Sequence, residues 1–498
     1  MNVMMLLEMA SQGFGERVAF TNGEQSLTYQ ELYDAAGAAA AQIRESGCDH
    51  VAMLDVSSLA MPIALFASAW AGVPYVPINY RLTADEINSL LDRVKPCLLI
   101  TDSERADDFS AQQELQLVTR EDFISTARSG TPLSDPWSMD QEDTGVLLFT
   151  SGTTGVPKAA VLRQKHLVAY ILGSVEFMGA MEDDAALGCV PPYHIAGISA
   201  VLSSVYSGRR VVQLPNFSAE EWIALVNQEK VTNAFVVPTM LARIVEVVGE
   251  NSSLELPSLK ALAYGGGKMP LSVIERAMKL FPNADFTNAY GLTETSSTIA
   301  VLGPQDHRDA AASEEEGVRR RLVSVGRPLP GVEVEIRDDE GKVMAARERG
   351  EIYVRGEQVS GEYVGKGSLL DKEGWFPTRD AGSIDDQGFL FLEGRADDVI
   401  VRGGENMSPG EIEDVLLEHE AVADVAVVGI PDEQWGEGVA AAVVLKSGKT
   451  VAVESLQNWV RDSMRSSRVP QLIQFWDELP YNETGKLLRR IVKTKLAE

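Results

Sequence analysis

Val146-Leu147-Leu148-Phe149-Thr150-Ser151-Gly152-Thr153-Thr154-Gly155-Val156-Pro157-Lys158 is the stretch on which the fold turns. Its apolar opening, Val146–Phe149, reads as a buried strand. The hydroxyls of Thr150, Ser151, Thr153 and Thr154 follow, with glycines at 152 and 155 and a lysine at 158. Glycine lets backbone N–H groups converge on an anion, hydroxyls add donors, and lysine adds charge. A phosphate cradle fits this composition better than a polar turn without function. A Walker-type loop needs Gly-Lys-Ser/Thr opening a helix. Here Pro157 precedes Lys158, and Ala159-Ala160-Val161-Leu162 reads as a second strand.

Working outward, strand-like runs alternate with helical patterns at Val146–Thr150, Arg210–Leu214, Asn233–Val237 and Ala261–Tyr264. That alternation predicts α/β architecture with largely parallel sheets. From Val323 the pattern changes to short strands, Val332–Ile336 and Glu351–Val354, set off by Asp338-Asp339-Glu340-Gly341 and Asp385-Asp386-Gln387-Gly388. These predict a small β-rich subdomain. Beyond Arg395 comes a further compact unit with its own strands and helices. One of its helices starts legibly: Ser408 as N-cap, Pro409 at the first position, Glu411 to close a capping box. Met407 and Ile412 are spaced for a hydrophobic staple, and Ile412, Val415, Leu416 and His419 share a face. The run Glu314–Glu316 followed by Arg319–Arg321 reads as a solvated loop.

The 498 residues are 45% hydrophobic and 23% charged, which is ordinary globular composition and excludes a disordered or coiled-coil chain. Lys and Arg total 44 against 73 Asp and Glu, a net charge of −29. Such a surface repels duplex DNA and anionic lipid, so no nucleic-acid partner is expected. Cys48, Cys97 and Cys189 form no CxxC and predict neither disulfides nor a zinc site, as fits a reducing cytoplasm. Residues 1–16 hold no Lys or Arg, unlike a signal peptide. Val56–Tyr80 and Leu187–Gly208 are uncharged and long, but prolines and glycines interrupt them. They read as buried helix-plus-loop segments, not as integral membrane segments.

Several further motifs stand in order behind the first: Pro191-Pro192-Tyr193-His194-Ile195-Ala196-Gly197, Tyr264-Gly265-Gly266-Gly267-Lys268, Asn288-Ala289-Tyr290-Gly291-Leu292-Thr293-Glu294-Thr295, Thr378-Arg379-Asp380, Glu393-Gly394-Arg395, Gly403-Gly404-Glu405-Asn406, and Pro480-Tyr481-Asn482-Glu483-Thr484-Gly485-Lys486-Leu487-Leu488-Arg489. With the hydroxyl-rich loop, this series resembles the acyl-adenylate-forming superfamily, which includes acyl-CoA synthetases, the adenylation domains of peptide synthetases, and firefly-type luciferases. The resemblance spans nearly the whole chain, from Leu27-Thr28-Tyr29 to Arg489.

The resemblance implies a role for each motif. Thr150, Ser151, Gly152, Thr153, Thr154 and Lys158 would bind the phosphates of ATP. Gly265 and Gly266 would border adenine, as would Asn288, Tyr290 and Gly291. Thr293 would donate to the α-phosphate, and Glu294 would hold Mg²⁺, for which a hard carboxylate oxygen is suited. Asp380 and Arg395 would take the ribose. Arg379 departs from the family's usual Thr-Gly-Asp and touches the local loop geometry. Tyr193, His194 and Gly267 would shape the acyl pocket; a satisfied core histidine is an equal reading of His194. Gly403 and Gly404 would line the path of coenzyme A. Lys486 would reach the region between carboxylate and α-phosphate, and Asp397 would be the hinge.

The implied architecture is a large N-terminal domain, residues 1–394, of parallel-sheet αβ subdomains plus the β-rich subdomain. A hinge at 395–397 leads to a small mobile α+β domain at 398–498. The implied activity is an AMP-forming acyl-CoA synthetase using ATP, Mg²⁺ and coenzyme A. Its partner would be a small-molecule carboxylic acid of fatty, alicyclic or aromatic kind. The nearest rival is a ligase that loads an acyl group onto a carrier-protein thiol. A non-catalytic AMP-sensing protein and an oxidative luciferase are more distant. A homodimer is the default by base rate.

Overall fold

The computed structural model describes residues 1–110, 112–150, 157–250, 255–338, 340–395, 398, 400–402, 405–432, 435–481 and 487–497; the side chains at 250, 395, 405 and 406 fall outside this description. Two compact units emerge. One comprises Met1–Leu322, Pro328–Glu333 and Arg355–Phe376; the other comprises Val323–Arg327, Val334–Val354 and Pro377–Glu498.

The first unit is built on two large sheets. One orders its eight strands Gly367–Ser368, Glu362–Tyr363, Lys158–Arg163, Thr144–Thr150, Tyr75–Pro77, His50–Leu54, Cys97–Thr101 and Leu115–Thr119. His50–Leu54 lies parallel to both its neighbours, and Cys97–Thr101 is buried throughout. A strand covered on both faces needs such an unbroken apolar run. The other sheet includes, in order, Ser297–Leu302, Asp285–Leu292, Ala261–Gly265, Asn233–Val236, Ala185–Gly188, Arg210–Gln213, Val18–Asn22 and Gln25–Thr28. Its middle is parallel, as the alternating pattern requires.

Helix Tyr29–Ser46 shows how local chemistry sets an element. Thr28 and Glu31 form a capping box, and Gly47, at φ 66°, closes the other end in the left-handed region that glycine tolerates. Gly37 lets Trp70 approach closely; a Cβ there would stand 3.0 Å from the indole. Trp70 belongs to helix Ala60–Ala71, which is buried from Ala60 to Trp70. This explains the uncharged run from Val56: it is a core helix. Leu187–Gly208 likewise resolves into a strand end and helix Ile195–Ser207. Among the described residues no helix is long and apolar enough to cross a membrane.

The second unit holds two smaller sheets. Glu333–Arg337, Gly350–Arg355, Phe376–Ile384 and Leu390–Arg395 form the β-rich part. The other sheet orders Glu405–Met407, Ile400–Arg402, Gly436–Leu445 and Val422–Asp432, and Leu472–Phe475 pairs parallel to Gly436–Leu445. Strand alternation sorts its core. Val425 and Val427 pack with Ile412, Leu416, Leu456 and Val460. Ala426 and Val428 pack with Val492 and Leu496 of the final helix, Arg489–Ala497.

Two local expectations need correction. Ser408 and Pro409 do open helix Pro409–Leu417, and Met407 and Ile412 are both fully buried. The capping box is absent, however. Ser408 Oγ donates to Glu393 O at 2.7 Å, and Glu411 pairs with Arg468. The stretch read as a solvated loop near Glu314–Arg321 instead forms a short exposed helix, Glu316–Arg319, continued by a tighter turn through Val323.

Candidate active site

The hydroxyl-rich loop springs from an antiparallel hairpin. Strand Thr144–Thr150 pairs with Lys158–Arg163, so that Leu147 meets Val161, Phe149 meets Ala159, and Thr150 meets Lys158. Thr150 Oγ1 donates to Lys158 O at 3.3 Å, which fastens the two stems together. Both stem residues are half-buried. Ser151, Gly152, Thr153 and Thr154 lie outside the described residues. Arg93 adds a clamp that the sequence did not announce: it donates to Pro157 O at 2.6 Å, and its guanidinium stands 4.9 Å from the Phe149 ring.

The motif around Glu294 is built by a strand that runs into a tight turn. In Asp285–Leu292, Asn288 lies between Tyr264 and Leu302, and Ala289 is opposite Gly265. The ladder slips by a residue between Tyr290 and Gly291. Only glycine fits the closest approaches: a Cβ on Gly265 would stand 2.2 Å from Ala289 O, and one on Gly291 would stand 1.8 Å from Ser297 O. Tyr264 OH donates to His307 Nε2 at 2.9 Å, while His307 Nδ1 reaches Gly303 O at 2.8 Å. That pair secures the strand leading into Gly265 and Gly266. Gly266 has φ 81°, and Gly267 is exposed.

Thr293–Thr295 then forms one tight turn. Thr295 Oγ1 accepts from Leu292 N at 2.9 Å and lies 2.8 Å from Ser297 O. Ser296 and Ser297 follow with φ of 56° and 114°, a costly conformation for residues that carry a Cβ. Thr293 is half-buried, while Tyr290 and the Glu294 side chain are largely enclosed.

Residues 358–363 join this turn to the hairpin. Ser360 N and Gly361 N both donate to Glu294 O, at 2.8 and 3.1 Å. Gln358 Nε2 donates to Thr295 O at 3.0 Å and Thr298 O at 2.8 Å. Ser360 Oγ donates to Val161 O at 2.7 Å, and Tyr363 pairs with Ala160. Tyr363 also touches both motifs through its side chain. Its hydroxyl donates to Glu294 Oε1, and its ring centroid lies 5.9 Å from Lys158 Nζ. Glu294 and Lys158, far apart in sequence, therefore share one tyrosine. No sequence motif pointed to Gln358, Ser360 or Tyr363, because their roles exist only once the sheets assemble.

Glu294 is a solitary carboxylate: among the described residues no group of three or more His, Cys, Asp or Glu could cage a metal. One such oxygen donor fits Mg²⁺, which keeps several waters and binds through one or two carboxylates together with substrate phosphates.

The third region follows Pro191. Tyr193 is buried, with its ring edge-on to Tyr80 at 5.3 Å and tilted against His194 at 4.5 Å. His194 immediately precedes helix Ile195–Ser207, and its buried Nε2 has no partner. Burial, helped by the nearby Arg81 cation, pulls its pKa down to about 4, so the ring is neutral at pH 7. Beside this segment lies a small cavity of about 40 Å³, lined by Gly188, Cys189, Pro192, Ala196, Ala200 and Phe235 among others. Neither Tyr193, His194 nor Gly267 lines it.

In the second unit, Asp380 and Arg395 are direct register partners on antiparallel strands. Thr378 Oγ1 accepts from Asp380 N at 3.1 Å and donates to Ile352 O at 2.8 Å, which fixes the Asp380 backbone. Between them Arg379 takes φ 63°, the left-handed conformation natural to glycine. Its N–H donates to Glu351 Oε1 at 3.1 Å. Tyr481 and Leu487 form a bridge, and Leu488 N donates to Pro480 O at 2.8 Å. Asp397, Gly403, Gly404 and Lys486 lie outside the described residues.

Comparison with known proteins agrees with this geometry. Residues 7–364 match the family model described as AMP-binding enzyme, and residues 411–486 match that of the AMP-binding enzyme C-terminal domain. The 2-succinylbenzoate–CoA ligase of Geobacillus sp. (strain WCH70) is 33% identical over 484 residues, covering 96% of this chain and 94% of the relative. The o-succinylbenzoate CoA synthetase (MenE) of Bacillus subtilis, in complex with the acyl-adenylate intermediate OSB-AMP, superposes with a TM-score of 0.84 at 30% identity, covering 98% of this chain and 97% of the other. The same enzyme in complex with ATP and magnesium ion gives a TM-score of 0.84 at 30% identity, with 99% of each chain covered.

Proposed function

Since the chain belongs to the AMP-binding enzyme family, as an acyl-CoA synthetase of the acyl-adenylate-forming kind, we propose that it activates an aryl carboxylic acid with ATP and transfers the acyl group to coenzyme A. It is an AMP-forming acid–thiol ligase that uses ATP and Mg²⁺ with coenzyme A as cosubstrate. The observation that carries the reading is the shared contact of Tyr363 with Glu294 and Lys158. Of fatty, alicyclic and aromatic acids, the aryl class stands first, because full-length relatives are named for 2-succinylbenzoate.

In the first half-reaction a carboxylate oxygen attacks the α-phosphorus of ATP. A C–O–P linkage forms, the bond to the bridging oxygen breaks, and pyrophosphate leaves with its electron pair. Two anions must meet, so cations and donors have to be placed beforehand. Glu294 would hold Mg²⁺, which would supply charge neutralisation for the phosphates. Thr150, Ser151, Gly152, Thr153, Thr154 and Lys158 cradle the phosphates. Thr293 donates to the α-phosphate, and Lys486 neutralises charge where the new bond forms. Asn288, Tyr290, Gly291, Gly265 and Gly266 frame adenine, and Asp380 with Arg395 holds the ribose. Neutral His194, with Tyr193 and Gly267, borders the acid without adding a cation.

In the second half-reaction the thiol sulfur attacks the acyl carbon, its proton is lost to solvent, and AMP departs. Gly403 and Gly404 leave room for the pantetheine arm. Residues 1–394 act as the adenylation domain, and residues 398–498 turn about Asp397, within a hinge at 395–397, to exchange Lys486 for Gly403 and Gly404 between steps. We place the reaction in the cytoplasm.

A panel of carboxylic acids including 2-succinylbenzoate, scored by pyrophosphate release with free coenzyme A or a carrier protein, tests this. Aryl acids with free coenzyme A are expected to lead. Turnover confined to long-chain acids, or to the carrier protein, would overturn the choice of substrate or acceptor. No pyrophosphate with any acid would overturn the ligase reading.

A further inference from the structure

Arg402 ends strand Ile400–Arg402 and is the register partner of Gly436, the first residue of Gly436–Leu445. This pairing brings Arg402 next to Trp435, in the turn between Val422–Asp432 and Gly436–Leu445. The tryptophan is 44% exposed, and the Arg402 guanidinium carbon lies 5.8 Å from its ring centroid. Both partners are held in place. Asp432 Oδ1 accepts from Trp435 N at 2.9 Å, which fixes the turn. Arg402 Nη1 donates to Ser467 O, and Nη2 donates to the Gln471 amide oxygen at 2.8 Å. The Gln471 amide nitrogen in turn donates to Asp432 Oδ2 at 3.3 Å. Gly438 makes room for this link, since a Cβ there would stand 2.1 Å from the Gln471 amide. The contacts close a ring that runs from Asp432 through Gln471 and Arg402 to Trp435.

A single exposed aromatic side chain is ordinary. The cation beside it is not. Among the described residues its guanidinium donates only to neutral acceptors, a carbonyl and an amide. Yet acids outnumber bases in this chain by 73 to 44. The charge is therefore oriented without being neutralised. An indole face beside a fixed guanidinium matches a planar base joined to a phosphate. Bases of any kind stack on aromatic rings, and the guanidinium fork takes phosphate oxygens. Of the two nucleotides in the reaction, ATP is met by the residues given above. The other is coenzyme A, whose far end is an adenosine carrying phosphates. We propose that Trp435 and Arg402 bind this end of coenzyme A, the indole stacking on adenine and the guanidinium meeting a phosphate. This rests on the reading of the chain as a coenzyme A ligase.

The test uses the full-length enzyme with two thiols, coenzyme A and pantetheine, which carries the same thiol without the nucleotide. The quantity read is the ratio of kcat/KM for coenzyme A to that for pantetheine. Within one variant this ratio cancels any loss of folded enzyme or of adenylation. Trp435→Ala is expected to lower it by about 5- to 100-fold, the range for removing one base–aromatic stack. The change should lie in the KM for coenzyme A. Trp435→Phe keeps a stacking face and should restore most of the ratio. Arg402→Gln removes the charge and is expected to lower the ratio by about tenfold or more. A ratio unchanged by Trp435→Ala or by Arg402→Gln would overturn the site. A ratio as low in Trp435→Phe as in Trp435→Ala would overturn the stacking role. No thioester with either thiol from the parent enzyme would instead fell the ligase reading, and this inference with it.

Discussion

Asp380 and Arg395 sit directly opposite one another across the antiparallel pair Phe376–Ile384 and Leu390–Arg395. Cross-strand neighbours of this kind lie close enough to serve one ligand together. In the proposed ribose site the Asp380 carboxylate would accept from both ribose hydroxyls. Asp380→Ala is expected to raise the KM for ATP by about 10–10²-fold, the worth of hydrogen bonds to a charged group. Its kcat should change little, as for binding that is uniform along the reaction. The variant should also cease to discriminate ATP from 2′-deoxy-ATP. Unchanged discrimination would remove Asp380 from the ribose site.

Arg379 provides a backbone test beside it. Its φ of 63° costs about 1–2 kcal/mol for a residue with a Cβ. Glycine relieves that strain and returns about 0.5–1 kcal/mol through unfolded-state entropy. The side chain is 66% exposed, and its contact with Glu351 is long, at 3.9 Å. Arg379→Gly should therefore be neutral or stabilising in urea titrations. Arg379→Val should be clearly destabilising, since β-branching disfavours this region further.

Tyr363→Phe deletes one oxygen and keeps the ring over Lys158. It frees Glu294 Oε1 from its hydroxyl donor. Losing the partner of a metal-binding carboxylate commonly weakens metal affinity by about 10–10²-fold. The Mg²⁺ concentration giving half-maximal pyrophosphate release should rise accordingly, with the melting temperature little altered. An unchanged Mg²⁺ titration would remove Tyr363 from the metal site.

Acid sensitivity follows from the buried histidines. Burial first, then the neighbouring Lys165 and Arg163 cations, pulls the His166 pKa down from 6.5 to about 4, against opposing Glu142 and Glu362. His194 is held equally low. Between about pH 4 and 6.5 the unfolded chain binds protons that the folded chain refuses. The stability from each group is whole above 6.5 and is lost as pH falls toward 4, at up to about 1.4 kcal/mol per unit. His166→Gln should flatten the pH dependence of the urea midpoint over that window. A variant that tracks the parent between pH 4.5 and 7 would contradict this.

Much of the architecture was legible because it rests on local pattern. The apolar run at Val146 and its successor at Ala159 became paired strands, and the uncharged run from Val56 became a core helix. Prediction failed where a partner comes from far along the chain. Glu411 fits a capping box by spacing, but Arg468 claims it, and Ser408 turns to Glu393. Glu413 and Arg489 look like ordinary surface charges in sequence, yet they meet in the interior. Glycine at 291 was legible as part of a motif. The reason for it, a carbonyl of Ser297 pressed against its Cα, was not.

Six consecutive residues, 358 to 363, reach both the Glu294 turn and the strand that begins at Lys158. A paralogue could therefore keep every recognisable signature and still fall silent through decay in this short connector. Among relatives that look intact but show no turnover, the residue corresponding to Tyr363 is the first to inspect.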